Sequence, residues 1–150
     1  MADITFFEKP GCENNRRQKE WLLFSGHTLK VLNLLAHAWT KEKLRPFLEG
    51  KPVRECFNPA APDIRDGIID PSTISFEEAL DAMISNPLLI RRPLMVIDGR
   101  HLQGFDKALL RTIITLEPVP GAETAIETLR RLDLETCTRT STETCTTKED

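Results

Sequence analysis

Ile4-Thr5-Phe6-Phe7 is a run of β-branched and aromatic residues halted by Pro10-Gly11, and it reads as a buried strand. Over residues 14–25 the period lengthens. Trp21, Leu22 and Phe24 bring apolar bulk toward one side while Arg16, Lys19 and Glu20 face water, the pattern of a helix closed by Gly26. Residues 27–34 return to strand, with Leu29, Val31 and Leu34 as expected core contacts. Thr40 then caps a helix running to about Leu48. Residues 53–69, rich in Pro, Asn and Asp, predict irregular chain with one short helical turn. Ser75 and Glu78 have the spacing of a capping box and open a helix through Ile84. Leu94-Met95-Val96-Ile97 is the next strand, Asp98-Gly99 a hairpin turn, and residues 101–105 the returning partner. A helix over 106–116, a linker at Pro118–Gly121 and a helix over 122–132 follow. Residues 134–150 are mostly Thr, Cys and charge, and predict a disordered tail.

The order is strand, helix, strand, helical segment, strand, hairpin strand, helix. Two parallel strands joined by a crossover helix, then an antiparallel hairpin, describe a thioredoxin-like α/β fold. The expectation is one domain over residues 1–133, a mixed sheet of about four strands with a helical insertion at about 38–88.

Composition narrows the function classes. The chain has 150 residues and 40% hydrophobic content, enough for one real core. A net charge of −3 gives no electrostatic footprint for nucleic acid. The absence of a long apolar run argues against a membrane span, and the start at Met1-Ala2-Asp3 lacks a signal segment, so a cytoplasmic location is expected. In that compartment Cys12, Cys56, Cys137 and Cys145 should mostly be free thiols.

Cys12 stands where the first strand hands over to the first helix. Unpaired N–H groups and the positive end of the dipole at a helix N-terminus favour thiolate, the reactive form, and Arg16 and Arg17 are close in sequence. Position alone leaves two readings open, an activated nucleophile or an incidental surface cysteine. Arg91-Arg92-Pro93 opens a buried strand with a proline, at the place where thioredoxin-like sheets carry a cis-proline beside the active thiol. That arrangement would aim Arg92 at Cys12, and guanidinium forks well onto an oxyanion; the other reading is an exposed basic pair at a strand start. Cys56 reads either as a resolving thiol or as a buried, apolar-like cysteine. Cys137 and Cys145 lie in Thr-Cys-Thr repeats without zinc-ligand spacing, and His27, His37 and His101 are scattered, so no metal or other bound cofactor is expected.

Phe6-Phe7-Glu8-Lys9-Pro10-Gly11-Cys12 with Asn15 and Arg16, the inserted helices, and Asn86-Pro87-Leu88-Leu89-Ile90-Arg91-Arg92-Pro93-Leu94-Met95-Val96 resemble the ArsC/Spx family over roughly residues 3–116. The resemblance is nearest to the nitrogenase-associated subgroup. It implies a thioredoxin fold, Cys12 as nucleophile, Arg92 as the arginine before a cis-Pro93, and Asn15 and Arg16 as further binding positions. The family's arsenate reductases carry a second oxyanion arginine, which aligns with Asn58, and a third, which aligns with Gly104; Arg65 and Arg100 are the neighbouring candidates to replace them. Each missing charge-assisted contact is worth roughly 1.5–3 kcal/mol, which argues against efficient arsenate turnover. The implied function is a single-cysteine redox protein using glutathione or a glutaredoxin-like protein, with a partner in the nitrogenase system. The alternative is a non-catalytic interaction module of Spx type.

Overall fold

The first strand lies inside the sheet and the second at its edge. In the computed structural model, which describes residues 1–132 and Leu134, β1 (Asp3–Glu8), β2 (Thr28–Asn33), β3 (Leu94–Ile97) and β4 (Arg100–Gln103) form one sheet of order β2-β1-β3-β4. β1 and β2 are parallel, with Asp3 opposite Thr28. β1 and β3 are antiparallel, with Phe7 opposite Leu94, and β3 and β4 form the expected hairpin. Its turn residues Asp98 and Gly99 have φ of 50° and 78°, the positive pair that a tight hairpin needs. The helices are α1 (Glu13–Phe24), α2 (Lys41–Leu48), α3 (Pro62–Arg65), α4 (Phe76–Ser85), α5 (Lys107–Arg111) and α6 (Glu123–Arg130). The fold is thioredoxin-like, and α2, α3 and α4 form the insertion between β2 and β3.

Strand alternation divides the core between the two sheet faces. Ile4 and Phe6 pack with Trp21, Leu22, Met95, Phe105 and Ile126. Phe7 packs on the other side with Leu44, Leu48, Phe57, Leu80 and Met83 of the insertion. His27 ties the N-terminus to the segment after α5: Ala2 N donates to its Nδ1 at 3.0 Å, and its Nε2 lies 2.7 Å from Thr115 O.

Local signals gave the helix starts. Thr40 accepts from Lys43 N at 3.2 Å, and the Ser75/Glu78 capping box is complete. Three expectations change. Val31 is 41% exposed, because β2 is an edge strand and one side of it faces water. Residues 53–69 hold two helical turns, a 3-10 turn at Val53–Cys56 and α3. The helix expected over 106–116 ends at Arg111, where Thr112-Ile113-Ile114-Thr115 crowds β-branched side chains and Thr112 Oγ1 donates to Leu109 O at 2.6 Å.

The tail expected over 134–150 lies outside the described residues except at Leu134. That residue is 2% exposed, packs into the first-layer core, and accepts a hydrogen bond from Gln18 Nε2 at its carbonyl. Among the described residues no helix is long and apolar enough to cross a membrane.

Candidate active site

The Pro10-Gly11 turn delivers Cys12 to the start of α1. Gly11 takes φ +85°, a left-handed conformation that side chains disfavour. Cys12 N donates to Lys9 O at 3.0 Å, and Cys12 O accepts from Arg16 N at 3.0 Å. Cys12 is therefore the N-cap residue of α1, with extended backbone (φ −78°, ψ 119°) and no capping hydrogen bond from its side chain. The residue is 5% exposed.

Arg92 reaches this site from β3. Pairing of Phe7 with Leu94 sets the start of β3 beside the end of β1, which places Arg92 next to the 9–12 loop. The Arg92–Pro93 peptide is cis and Pro93 is buried, its carbonyl accepting from Gly104 N at 2.9 Å. Arg92 is only 8% exposed, and its side chain hydrogen-bonds the Cys12 sulfur. Burial pushes the guanidinium below its ordinary value, and the Cys12 sulfur counters this through charge and through that hydrogen bond. Guanidinium does not give up its proton in proteins, so a buried cation lies against the Cys12 sulfur.

The remaining expected residues take different places. Asn15 is buried one turn into α1, where its Oδ1 accepts from Lys9 N at 3.0 Å and its Nδ2 donates to Gln18 Oε1 at 2.9 Å. Its Oδ1 thus ties the cysteine loop to the helix, and its Nδ2 bonds within the helix. Arg16 lies on the outer face of α1 and pairs with Glu13 and Glu20. Asn58 is buried, and its side chain serves backbone, accepting from Ala60 N at 3.1 Å and donating to Leu88 O at 3.3 Å. Arg65 is a surface residue with Nε 3.9 Å from Asp66. Gly104 has φ +86° and no side chain to offer. Cys12 and Arg92 are the two candidates whose side chains the structure joins directly.

Cys56 is buried in the insertion, its Sγ 3.8 Å from Leu48 O and 3.6 Å from Pro52 O. Burial pushes its thiol up, which keeps it protonated and unreactive. Cys12 and Cys56 are both free thiols. Among the described residues no cluster of His, Cys, Asp and Glu could hold a metal ion.

Two glutamines that sequence reasoning passed over hold the site together. Gln103 Nε2 donates to Cys56 O and to Arg91 O, both at 3.0 Å, and Lys51 Nζ donates to its Oε1 at 2.7 Å. The start of β3, the end of β4 and the insertion are latched there. Its one sequence signal is a polar residue at the end of a hairpin strand whose partner, Leu94, is core. Gln18 is equally hidden, a buried polar residue on the apolar side of α1. Lys9 is buried as well.

A thioredoxin-like sheet, a single cysteine capping the first helix and a buried arginine ahead of a cis-proline define a thioredoxin-fold protein with a one-thiol site. The ArsC family profile matches residues 7–113, and the chain belongs to the ArsC family. A 15.7 kDa Rhodospirillum rubrum protein of the draG 3′ region is 43% identical over 138 residues, covering 91% of this chain and 89% of that one. The global transcriptional regulator Spx of Lactiplantibacillus plantarum is 24% identical over 129 residues, covering 81% and 98%. The solved arsenate reductase of Vibrio cholerae superposes with a TM-score of 0.63 at 22% identity, covering 75% of this chain and 98% of that one. At that identity the structural likeness carries the fold alone.

Proposed function

We propose that the protein is a thiol-dependent redox protein in which Cys12 forms and resolves mixed disulfides. The observation that carries this reading is the buried Arg92 guanidinium hydrogen-bonded to the Cys12 sulfur at the head of α1. The Cys12 thiolate attacks one sulfur of a disulfide; that S–S bond breaks, and the leaving thiolate takes up a proton. Glutathione or a glutaredoxin-like protein is the proposed co-substrate, in the cytoplasm. The proposed partner in a nitrogenase system rests on the resemblance of the Cys12 and Arg92-Pro93 motifs to that subgroup.

Arsenate is not the proposed substrate. A doubly charged oxyanion held away from water needs several charge-assisted donors. Asn58 is engaged with backbone, Gly104 has no side chain, and Arg65 pairs with Asp66 at the surface. A coupled assay with glutaredoxin and glutathione should show no arsenate-dependent NADPH consumption.

The direct test treats reduced protein with glutathione disulfide and maps the cysteines by mass. Cys12 should be oxidised in the native chain, and nothing should replace it in Cys12→Ser. A Cys12 left as thiol while denatured protein reacts readily would sink the proposal. A second reading, an interaction module of Spx type, is favoured by the near full-length match to a regulator named Spx. Complementation separates the two: a Cys12→Ser allele that fully rescues a deletion strain supports the module, and one that behaves like the deletion supports thiol chemistry.

A further inference from the structure

β4 is the last strand of the sheet, and among the described residues no strand lies beyond it. The pairing determines which groups that open edge offers. Gly104 N donates to Pro93 O at 2.9 Å, and hydrogen-bonded and non-hydrogen-bonded pairs alternate along an antiparallel ladder. Counted back through the register, Leu102 and Arg100 turn their backbone groups toward Met95 and Ile97 of β3, while His101 and Gln103 turn theirs outward. No hydrogen bond among the described residues takes up the outward N–H and C=O groups. An uncovered edge of this kind is a template for another extended chain.

The edge lies at the bottom of a groove of about 430 Å³. Successive residues of a strand point to opposite faces, so a cavity touched by His101, Leu102 and Gln103 in turn opens on the edge itself. The end of α2, through Phe47 and Glu49, walls one side, and Asp106 and Leu109 at the start of α5 wall the other. The floor is held rigid: the Phe47 and His101 rings meet edge to face at 4.8 Å, and Gln103 is bonded to the Cys56 and Arg91 carbonyls. This shape chooses the occupant. A second copy would bring its own α2 and α5 on either side of its β4, and those walls would collide before the strands closed to the roughly 4.7–4.9 Å of a ladder. A single extended chain has no walls and enters.

Side-chain chemistry narrows the segment further. On the α5 side, half-buried Leu102 and Leu109, which is 46% exposed, make an apolar wall. On the α2 side, Glu49 and Glu55 are exposed and form no ion pair among the described residues. The cations beside them, Lys51 and Arg91, already have partners, Lys51 at Gln103 Oε1 at 2.7 Å. Side chains of an added strand alternate between the two sides. A matching strand therefore sets apolar residues against Leu102 and Leu109 and basic ones against Glu49 and Glu55. We propose that the β4 edge binds an extended segment of a partner protein in which basic and apolar residues alternate, added to the sheet as a new outer strand. The groove includes neither Cys12 nor Arg92, and the proposal holds whether or not that thiol exchanges disulfides.

The probe is a short, blocked, fluorescent peptide of alternating valine and lysine, titrated into the reduced full chain and read by anisotropy and amide hydrogen exchange. At saturation, exchange of the His101 and Gln103 amides should slow by roughly tenfold or more, with Arg100 and Leu102, already paired to β3, little changed. Only one alternate set of the peptide's N–H groups faces β4, so N-methylation of that set should weaken binding roughly tenfold and N-methylation of the other set should not. A valine–glutamate peptide should bind roughly tenfold more weakly than the lysine one, and the double variant Glu49→Lys, Glu55→Lys, changed only at exposed positions, should invert that preference. Equal affinity of the two N-methylated peptides overturns the proposal, as does protection at β2 in place of β4. So does the lack of binding by the native chain at peptide concentrations on the order of millimolar. Protection of His101 and Gln103 that rises with protein concentration, without peptide, overturns it in favour of a second copy.

Discussion

Replacing Arg92 by Met should separate reactivity from stability, because the same burial acts on both in opposite senses. Met matches the apolar stem of arginine and deletes the cation at 8% exposure. The lost contact is the hydrogen bond from the guanidinium to the Cys12 sulfur, worth about 1.5–3 kcal/mol, so the alkylation rate of Cys12 should fall roughly tenfold to a hundredfold. Stability should not fall in step. Removing one member of a buried charged contact is costly when it strands a charge, and the partner here is a sulfur that can stand as a neutral thiol. Exchange of a buried pair for apolar side chains of similar volume is often neutral or stabilising, by about 1–4 kcal/mol. The assay is the rate of iodoacetamide alkylation of Cys12 at pH 7, followed by peptide mass, with urea unfolding alongside. Arg92→Lys should fall between the two, since a point charge cannot reproduce the planar fork. Equal alkylation rates in the native protein and in a folded Arg92→Met variant would refute the electrostatic account of the site.

Further predictions follow from other parts of the fold. Gln103→Leu removes the side-chain donor to the Arg91 carbonyl and one of the two donors to the Cys56 carbonyl, which keeps Arg91 N, and should cost about 1–3 kcal/mol in urea unfolding, the range for a buried group left unsatisfied. Gly26→Ala should lower the melting temperature: φ is +91° and an added Cβ would lie 3.0 Å from Val119 Cγ1, where the left-handed conformation alone costs about 1–2 kcal/mol. His37, packed at 5.0 Å from Phe7 and 4.5 Å from Trp39, is held below its ordinary value by burial and by Lys43. On acidification the unfolded chain therefore takes up this proton first, so the His37 contribution is complete above about pH 6.5. It is lost as the pH falls from there through the folded value, and His37→Asn should flatten that part of the stability curve.

The residues and the tertiary structure divided the work along a physical line. Short-range signals carried what depends on a few consecutive residues: the capping box of Ser75 and Glu78, the Asp98-Gly99 hairpin and the cap position of Cys12. Each depends on backbone groups within a turn or so of the side chain, so local sequence suffices. The early end of α5 was also written locally, in four consecutive β-branched residues, but the apolar period over 106–116 masked it.

What needed the folded chain was everything that joins distant segments. The motif suggested that Arg92 faces Cys12, but only the pairing of Phe7 with Leu94 brings those residues together across the sheet. Strand order left Val31 exposed although its residue type belongs in a core. Asn58 and Asn15, polar and plausible as binding groups, have their amides drawn inward because buried backbone groups must find partners. The same requirement recruited Gln103 and Gln18 and tied Leu134 to the cysteine's own helix. The sequence by itself determined the thiol, its helix and the family of folds. Tertiary structure decided that Arg92 lies against the sulfur and that Leu134 is held beneath the same helix, because contacts between distant residues exist only once the sheet has set its register.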